Sequence, residues 1–106
     1  MTLTYKVLAQ GQLAAVAGAI GTVPAGRQWI IKQIRLVNST GTDRTFALYV
    51  NGVAAANNIF PTTTLPAGGI VDDVGTITLN AAETLQGEAS AATAITFSVF
   101  GLEITV

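Results

Sequence analysis

The sequence predicts an all-β chain: a single antiparallel β-sandwich, jelly-roll-like or Ig-like, of about seven or eight short strands. Three observations carry this. Apolar residues recur with a period of two along most of the chain. Gly, Pro and Asn turn signals separate the runs. No segment combines a helical period with caps. At 106 residues there is room for one core. The division suggested is an N-terminal arm or edge strand over residues 1–20 and a β-sandwich domain over residues 21–106.

The elements follow in order. Leu3, Tyr5 and Val7 alternate with Thr4 and Lys6, which reads as a strand. Leu13–Ile20 is Ala-rich, but Gly18 and Gly21 sit at its end and no good cap precedes it; a strand or extended arm is expected. Trp29–Val37, WIIKQIRLV, places Ile30, Lys32, Ile34 and Leu36 on one face. Trp29, Ile31, Gln33, Arg35 and Val37 fall on the other. A strand apolar on both faces is covered on both, by the core and by a partner subunit. Asn38–Arg44 is a turn cluster. Phe46, Leu48 and Val50 then share a face, and Asn51-Gly52 signals a tight hairpin, with Ala54–Ile59 as the returning strand. Ile77 and Leu79 alternate with threonines, as do Ile95, Phe97 and Val99 with Thr96 and Ser98. Beyond them the apolar positions become Phe100, Leu102, Ile104 and Val106. That change of parity predicts a bulge, or a bend from one sheet to the other, at Gly101.

A pentapeptide appears almost twice: TVPAG at Thr22–Gly26 and TLPAG at Thr64–Gly68, with TLNAA at Thr78–Ala82 as a degraded third copy. Pro suits the first central position of a turn and breaks a strand ladder; Gly takes positive φ. Each copy is expected to end one strand and launch the next. Internal duplication and reuse of one local turn both account for the repetition.

Composition removes most chemistry. There is no Cys for a disulfide or thiol and no His for general-base or ligand roles. Charged residues are 10% of the chain, against about 25% in an ordinary soluble domain. The net charge is −1, and Lys6, Arg27, Lys32, Arg35 and Arg44 form no basic run; nucleic acid is not expected as a partner. No apolar run approaches the roughly 18 residues of a membrane helix. Gln12–Val23 is read as ordinary chain because Gln10, Gly11 and Gln12 interrupt any signal-peptide core.

No catalytic, cofactor-binding or metal-ligating residue is assigned, and an enzyme is not expected. Asp72-Asp73 is the one acidic pair; on a strand the two point to opposite faces, in a loop they could bind Ca²⁺ but no further acid lies nearby to complete the site, and a solvated turn is expected. Ser39, Ser90 and Ser98 have no His to activate them. Pro24–Gly26 and Pro66–Gly69 lack the Gly spacing and Lys of a phosphate loop. Trp29, Tyr49 and Phe60 are a candidate sugar-stacking platform. Lys32 and Arg35 are expected on opposite faces of their strand.

The run GQLAAVAGAIGTVPAGRQWIIKQIRLVNSTGTDRTFALYVNG resembles a pattern of small structural proteins of tailed bacteriophages. There a TVPAG turn leads into an Ile-rich strand, then L-V-N with a small-residue turn, then an aromatic strand ending in Asn-Gly. TLPAGGIVDD, ITLNAAETLQGEAS and FGLEI look like its second half, so the resemblance covers nearly the whole chain. It implies a β-sandwich virion protein, foremost a capsid decoration (cement) protein, or else a tail, neck or fibre-base component. It implies the major capsid protein or other virion proteins as partners, a symmetric homo-oligomer (a trimer foremost), and a place on the capsid surface of a virion assembled in the bacterial cytoplasm. A carbohydrate-binding module is the reading from a different class. Residues 1–20, poor in charge and rich in Ala and Gly, are expected to dock on a neighbour.

Overall fold

The computed structural model describes Thr2–Val106. Eight strands are formed among these residues: β1 (Thr2–Gln12), β2 (Gly18–Thr22), β3 (Arg27–Asn38), β4 (Arg44–Val50), β5 (Asn58–Leu65), β6 (Ile70–Leu79), β7 (Thr84–Ala89) and β8 (Ile95–Thr105). They build two four-stranded antiparallel sheets, ordered β1-β8-β3-β6 and β2-β7-β4-β5. The hydrogen-bonded pairs are nested: β1 with β8, β2 with β7, β3 with β6, β4 with β5. One long hairpin has in effect been rolled into two sheets. That nesting is the jelly roll, and it decides between the two sandwiches expected.

The core lies between the sheets. Leu13, Ile31, Ile34, Leu36, Phe46, Leu48, Leu65, Leu79, Leu85, Ile95 and Val99 are fully buried there. Phe46 and Phe60 meet with ring centroids 5.8 Å apart, a favourable tilted contact. The strand least visible in the sequence is β7, because its inward residues are Leu85, Gly87 and Ala89. A Cβ on Gly87 would come 3.0 Å from both Leu13 and Leu48. The position is small because the core has no room, so the strand shows little apolar alternation.

The repeated pentapeptides form one turn, used three times. Arg27 N–H donates to Pro24 O at 3.2 Å, Gly69 N–H to Pro66 O at 2.8 Å, and Glu83 N–H to Asn80 O at 3.0 Å. Pro, or Asn80, therefore occupies the first corner of each turn rather than its first central position. The third residue takes positive φ: Gly26 at 74°, Gly68 at 70° and Ala82 at 68°. The apolar residue before each turn, Val23, Leu65 or Leu79, is sunk in the core. Two of the turns lead from the second sheet to the first, and the third leads back. They fall after β2, β5 and β6, and all three share one local geometry.

Two expectations change here. Asn51-Gly52 does not close a tight hairpin: the β4–β5 connection runs from Asn51 to Asn57. Ala55–Asn57 within it is a 3₁₀ turn, not strand. Asn38 is fully buried, a polar side chain inside the sandwich end. Its amide donates to Thr42 O and Leu65 O, each at 2.9 Å, and its oxygen accepts from Thr40 N–H and Oγ1. Every polar atom is matched, so the burial costs little, and the β3–β4 turn is pinned to the end of β5.

Candidate interaction face

Strand β8 keeps one alternation from end to end. Ile95, Phe97 and Val99 belong to the core, and farther on Gly101 sits opposite Ile31 and Glu103 opposite Trp29, both core residues. Directly paired residues share a face, so odd-numbered positions point inward throughout. The predicted change of parity at Gly101 is therefore not a change of face. Phe100, Leu102 and Ile104 lie on the outer surface of the first sheet. Leu102 and Ile104 are only 9% and 6% exposed, yet they stand outside the core cluster.

The bulges belong to the neighbouring strands. β1 gains an extra residue at Leu8, opposite the Val99–Phe100 step of β8, and β3 gains one at Lys32, opposite the Phe100–Gly101 step. Gly101 is where the strands crowd together: a Cβ there would lie 2.1 Å from Ile30 O. β8 remains within one sheet, so Gly101 marks a pinch in that sheet rather than a crossing to the other. The bulge at Lys32 also corrects the reading of β3. Trp29 and Ile31 before it, and Ile34, Leu36 and Asn38 after it, all face inward and are buried. Lys32 and Arg35 consequently share the outer face, instead of flanking the strand.

That outer face is divided along its length. At one end, rows of paired residues run across the sheet: Leu3–Ile104–Gln28, Tyr5–Leu102–Ile30, and Val7–Phe100–Gln33–Val74. Tyr5 is 80% exposed, Val74 77% and Leu3 55%. At the other end the rows are Gln10–Ser98–Arg35–Asp72 and Gln12–Thr96–Val37–Ile70. Arg35 grips Asp72 through two hydrogen bonds, 2.7 Å and 3.1 Å, and Gln33 adds a third at 3.1 Å. The Arg35 hydrogen bond holds the Asp72 carboxyl below the usual range, and the ion pair neutralises itself. The face thus presents a mainly apolar half, interrupted by Lys32 and Gln33, beside a half in which an ion pair and polar side chains flank Val37 and Ile70. A contiguous exposed apolar surface rimmed by polar groups marks an interaction site.

Behind the apolar half, Glu103 closes the sandwich end. It accepts the Trp29 indole N–H at 2.9 Å and meets Lys6 at 3.5 Å and Arg27 at 3.8 Å. The Trp29 hydrogen bond, aided by the positive charge of Lys6, keeps its carboxyl below the ordinary value.

The other candidate features do not assemble into a site. Trp29 is buried in the core, Phe60 packs on it against Phe46, and Tyr49 stands on the outer face of the second sheet. They form no common platform for a sugar. Tyr49 donates to Glu88 at 2.7 Å, which raises its phenol above the usual value. Asp72 and Asp73 lie on opposite faces of β6, and among the described residues no group of three potential ligands could hold a metal ion. A hollow of about 210 Å³ between the β1 and β2 edges is lined by Gly11, Ala14, Val16, Gly18 and Phe97, with Gln12 its one polar side chain. Another, about 300 Å³, lies over Ala47 and is bordered by Thr62, Glu88 and Ser90. Neither brings together an acid–base pair. No described helix is long and apolar enough to cross a membrane.

No protein-family model and no curated protein matches the chain. Solved structures share its fold. A chain from the acid-stable capsid of Helicobacter pylori bacteriophage KHP30 superposes with a TM-score of 0.58 at 13% identity, covering 96% of this chain and 90% of that one. A chain of the disulfide-linked pili of Bacillus endospore appendages gives 0.56 at 20% identity, covering 99% of this chain and 89% of that one. A chain of infectious bursal disease virus, Gx strain, gives 0.53 at 11% identity; the match takes in 98% of this chain but 33% of the viral one. At such identities the likeness is one of fold: the jelly roll used by viral capsid and pilus subunits.

Proposed function

We propose that this chain is a non-enzymatic structural protein of a virion, a decoration (cement) protein that binds the assembled phage head and stabilises it. The observation that carries the reading is the apolar half of the outer face of the first sheet, offered by a fold that also serves a phage capsid chain of nearly the same extent. A protein that binds the assembled shell and not its separate subunits stabilises the shell by mass action. Surface burial is enough for that work, and it needs no reaction centre. Its partners are the major capsid protein or a neighbouring virion protein, and it acts as a symmetric homo-oligomer.

The pilus likeness supports assembly in general but not that mode of assembly. The pili are disulfide-linked, and these 106 residues contain no Cys. A tail, neck or fibre-base role uses the same face. Cryo-electron microscopy of the purified virion separates the two: density for the jelly roll over the head lattice is expected, and density confined to the tail or neck would replace the decoration reading.

A further inference from the structure

Of the four strand edges among the described residues, three are defended against pairing with another chain. β2 spans only Gly18–Thr22 and is broken by a bulge at Ile20. β5 contains Pro61, which has no N–H to offer, and loses register twice against β4. β6 turns Asp73 inward beside Ile34 and carries an irregularity at Gly75–Thr76. Short edges, prolines, inward charges and bulges are the devices by which sheets avoid growing. β1 differs. It has its own bulge at Leu8, but before that, from Thr2 to Val7, it pairs residue for residue with Thr105–Phe100 and contains no Pro. All six residues are exposed. Its one charge, Lys6, is drawn back to Glu103 at 3.5 Å.

We infer that the free edge of β1 pairs with β1 of a second copy, antiparallel about a two-fold axis through Tyr5. An undefended edge must find an undefended strand, and among the described strands β1 meets that condition only in another β1. The side chains suit the symmetry. With Tyr5 opposite Tyr5 of the second copy, Leu3 meets Val7 and Thr4 meets Lys6. Aromatic and aliphatic pairs then align on the outer face, and no like charges stand opposite each other, which is the favourable pattern for cross-strand neighbours. A register centred on Lys6 would oppose two ammonium groups. The two first sheets join into one, and their apolar halves become a single continuous surface. Such an interface is isologous, and so distinct from the trimer implied by the resemblance. It concerns the chain alone and does not depend on the virion reading.

Light scattering after size exclusion tests it. The wild type should approach twice the monomer mass as its concentration rises to about 1 mM, the range a short edge contact reaches. Tyr5→Lys should weaken association at least about fivefold by placing two ammonium groups at the axis. Mixing Tyr5→Lys with Tyr5→Glu should restore a dimer, and unchanged circular dichroism should show that each variant is folded. Because the chain has no Cys, Tyr5→Cys should form a disulfide-linked dimer under mild oxidation while Val74→Cys, on the opposite edge, does not. A wild type that stays monomeric to about 1 mM, a trimer whose mass Tyr5→Lys leaves unchanged, or equal crosslinking at Val74 would each overturn the inference.

Discussion

Gly101 has no conformational peculiarity that requires a glycine; the space beside it does. Its missing side chain lets β3 bulge past β8, with Ile30 O 2.1 Å from where a Cβ would stand. A backbone neighbour cannot rotate away, so Gly101→Ala should cost about 3 kcal/mol, at the upper end of overpacking penalties, read as a lowered urea midpoint. Ala82 is the reverse case. It holds φ at 68° where the two other copies of its turn have Gly. Ala82→Gly should relieve a left-handed strain of about 1 kcal/mol and give back part of that through a freer unfolded chain. A net gain of about 0.5 kcal/mol and a higher Tm are expected. Glu103 supplies a pH dependence. Its folded pKa lies below the ordinary glutamate value of about 4.3. Its contribution is therefore complete above that value and is lost as pH falls through the folded one. Urea midpoints, followed by fluorescence of Trp29, should drop between about pH 5 and pH 3. Glu103→Gln should remove part of that drop; an identical slope in the variant would show that the carboxylate contributes nothing.

Most strands were legible because alternation with a buried face leaves a period of two in the sequence. β4 and the inner half of β8 follow it directly, and the pentapeptide turns were found by their Pro and Gly. What escaped has specific causes. β7 was hidden because Gly87 and Ala89 occupy inward positions where the core has no space. The faces of β3 were misassigned because a bulge at Lys32 inserts one residue, and neither Lys32 nor its neighbours carry a bulge signature. The outer half of β8 misled for a more instructive reason. Its apolar residues moved to even positions, and the natural inference was that the backbone had slipped by one. The backbone did not slip; the burial changed sides. Glu103 and Thr105 face inward at the sandwich end, while Leu102 and Ile104 floor an outward patch. A parity switch at constant register is thus the sequence signature of the outward apolar patch. The reading that no catalytic residue should be assigned rested on missing His and Cys, which composition alone displays.

As a whole the molecule is a slab of 45 × 26 × 20 Å, and charged residues are sparse in it. The nested pairing places both chain ends in the first sheet, so β1 contributes at once to its edge and to its apolar face. This economy links the two proposals without making either depend on the other: the edge joins copies, and the face meets the shell. The face is the central claim, and it can be tested without touching the core. Tyr5 and Val74 are the most exposed of its apolar residues, so Tyr5→Asp with Val74→Asp should leave the Tm within a few degrees, as surface changes generally do. The direct measurement of the proposed decoration role is co-sedimentation with expanded empty phage shells. Wild-type protein should pellet with the shells, and the double variant should stay in the supernatant. Wild-type protein that remains in the supernatant, or a double variant that pellets as well as the wild type, would contradict the account.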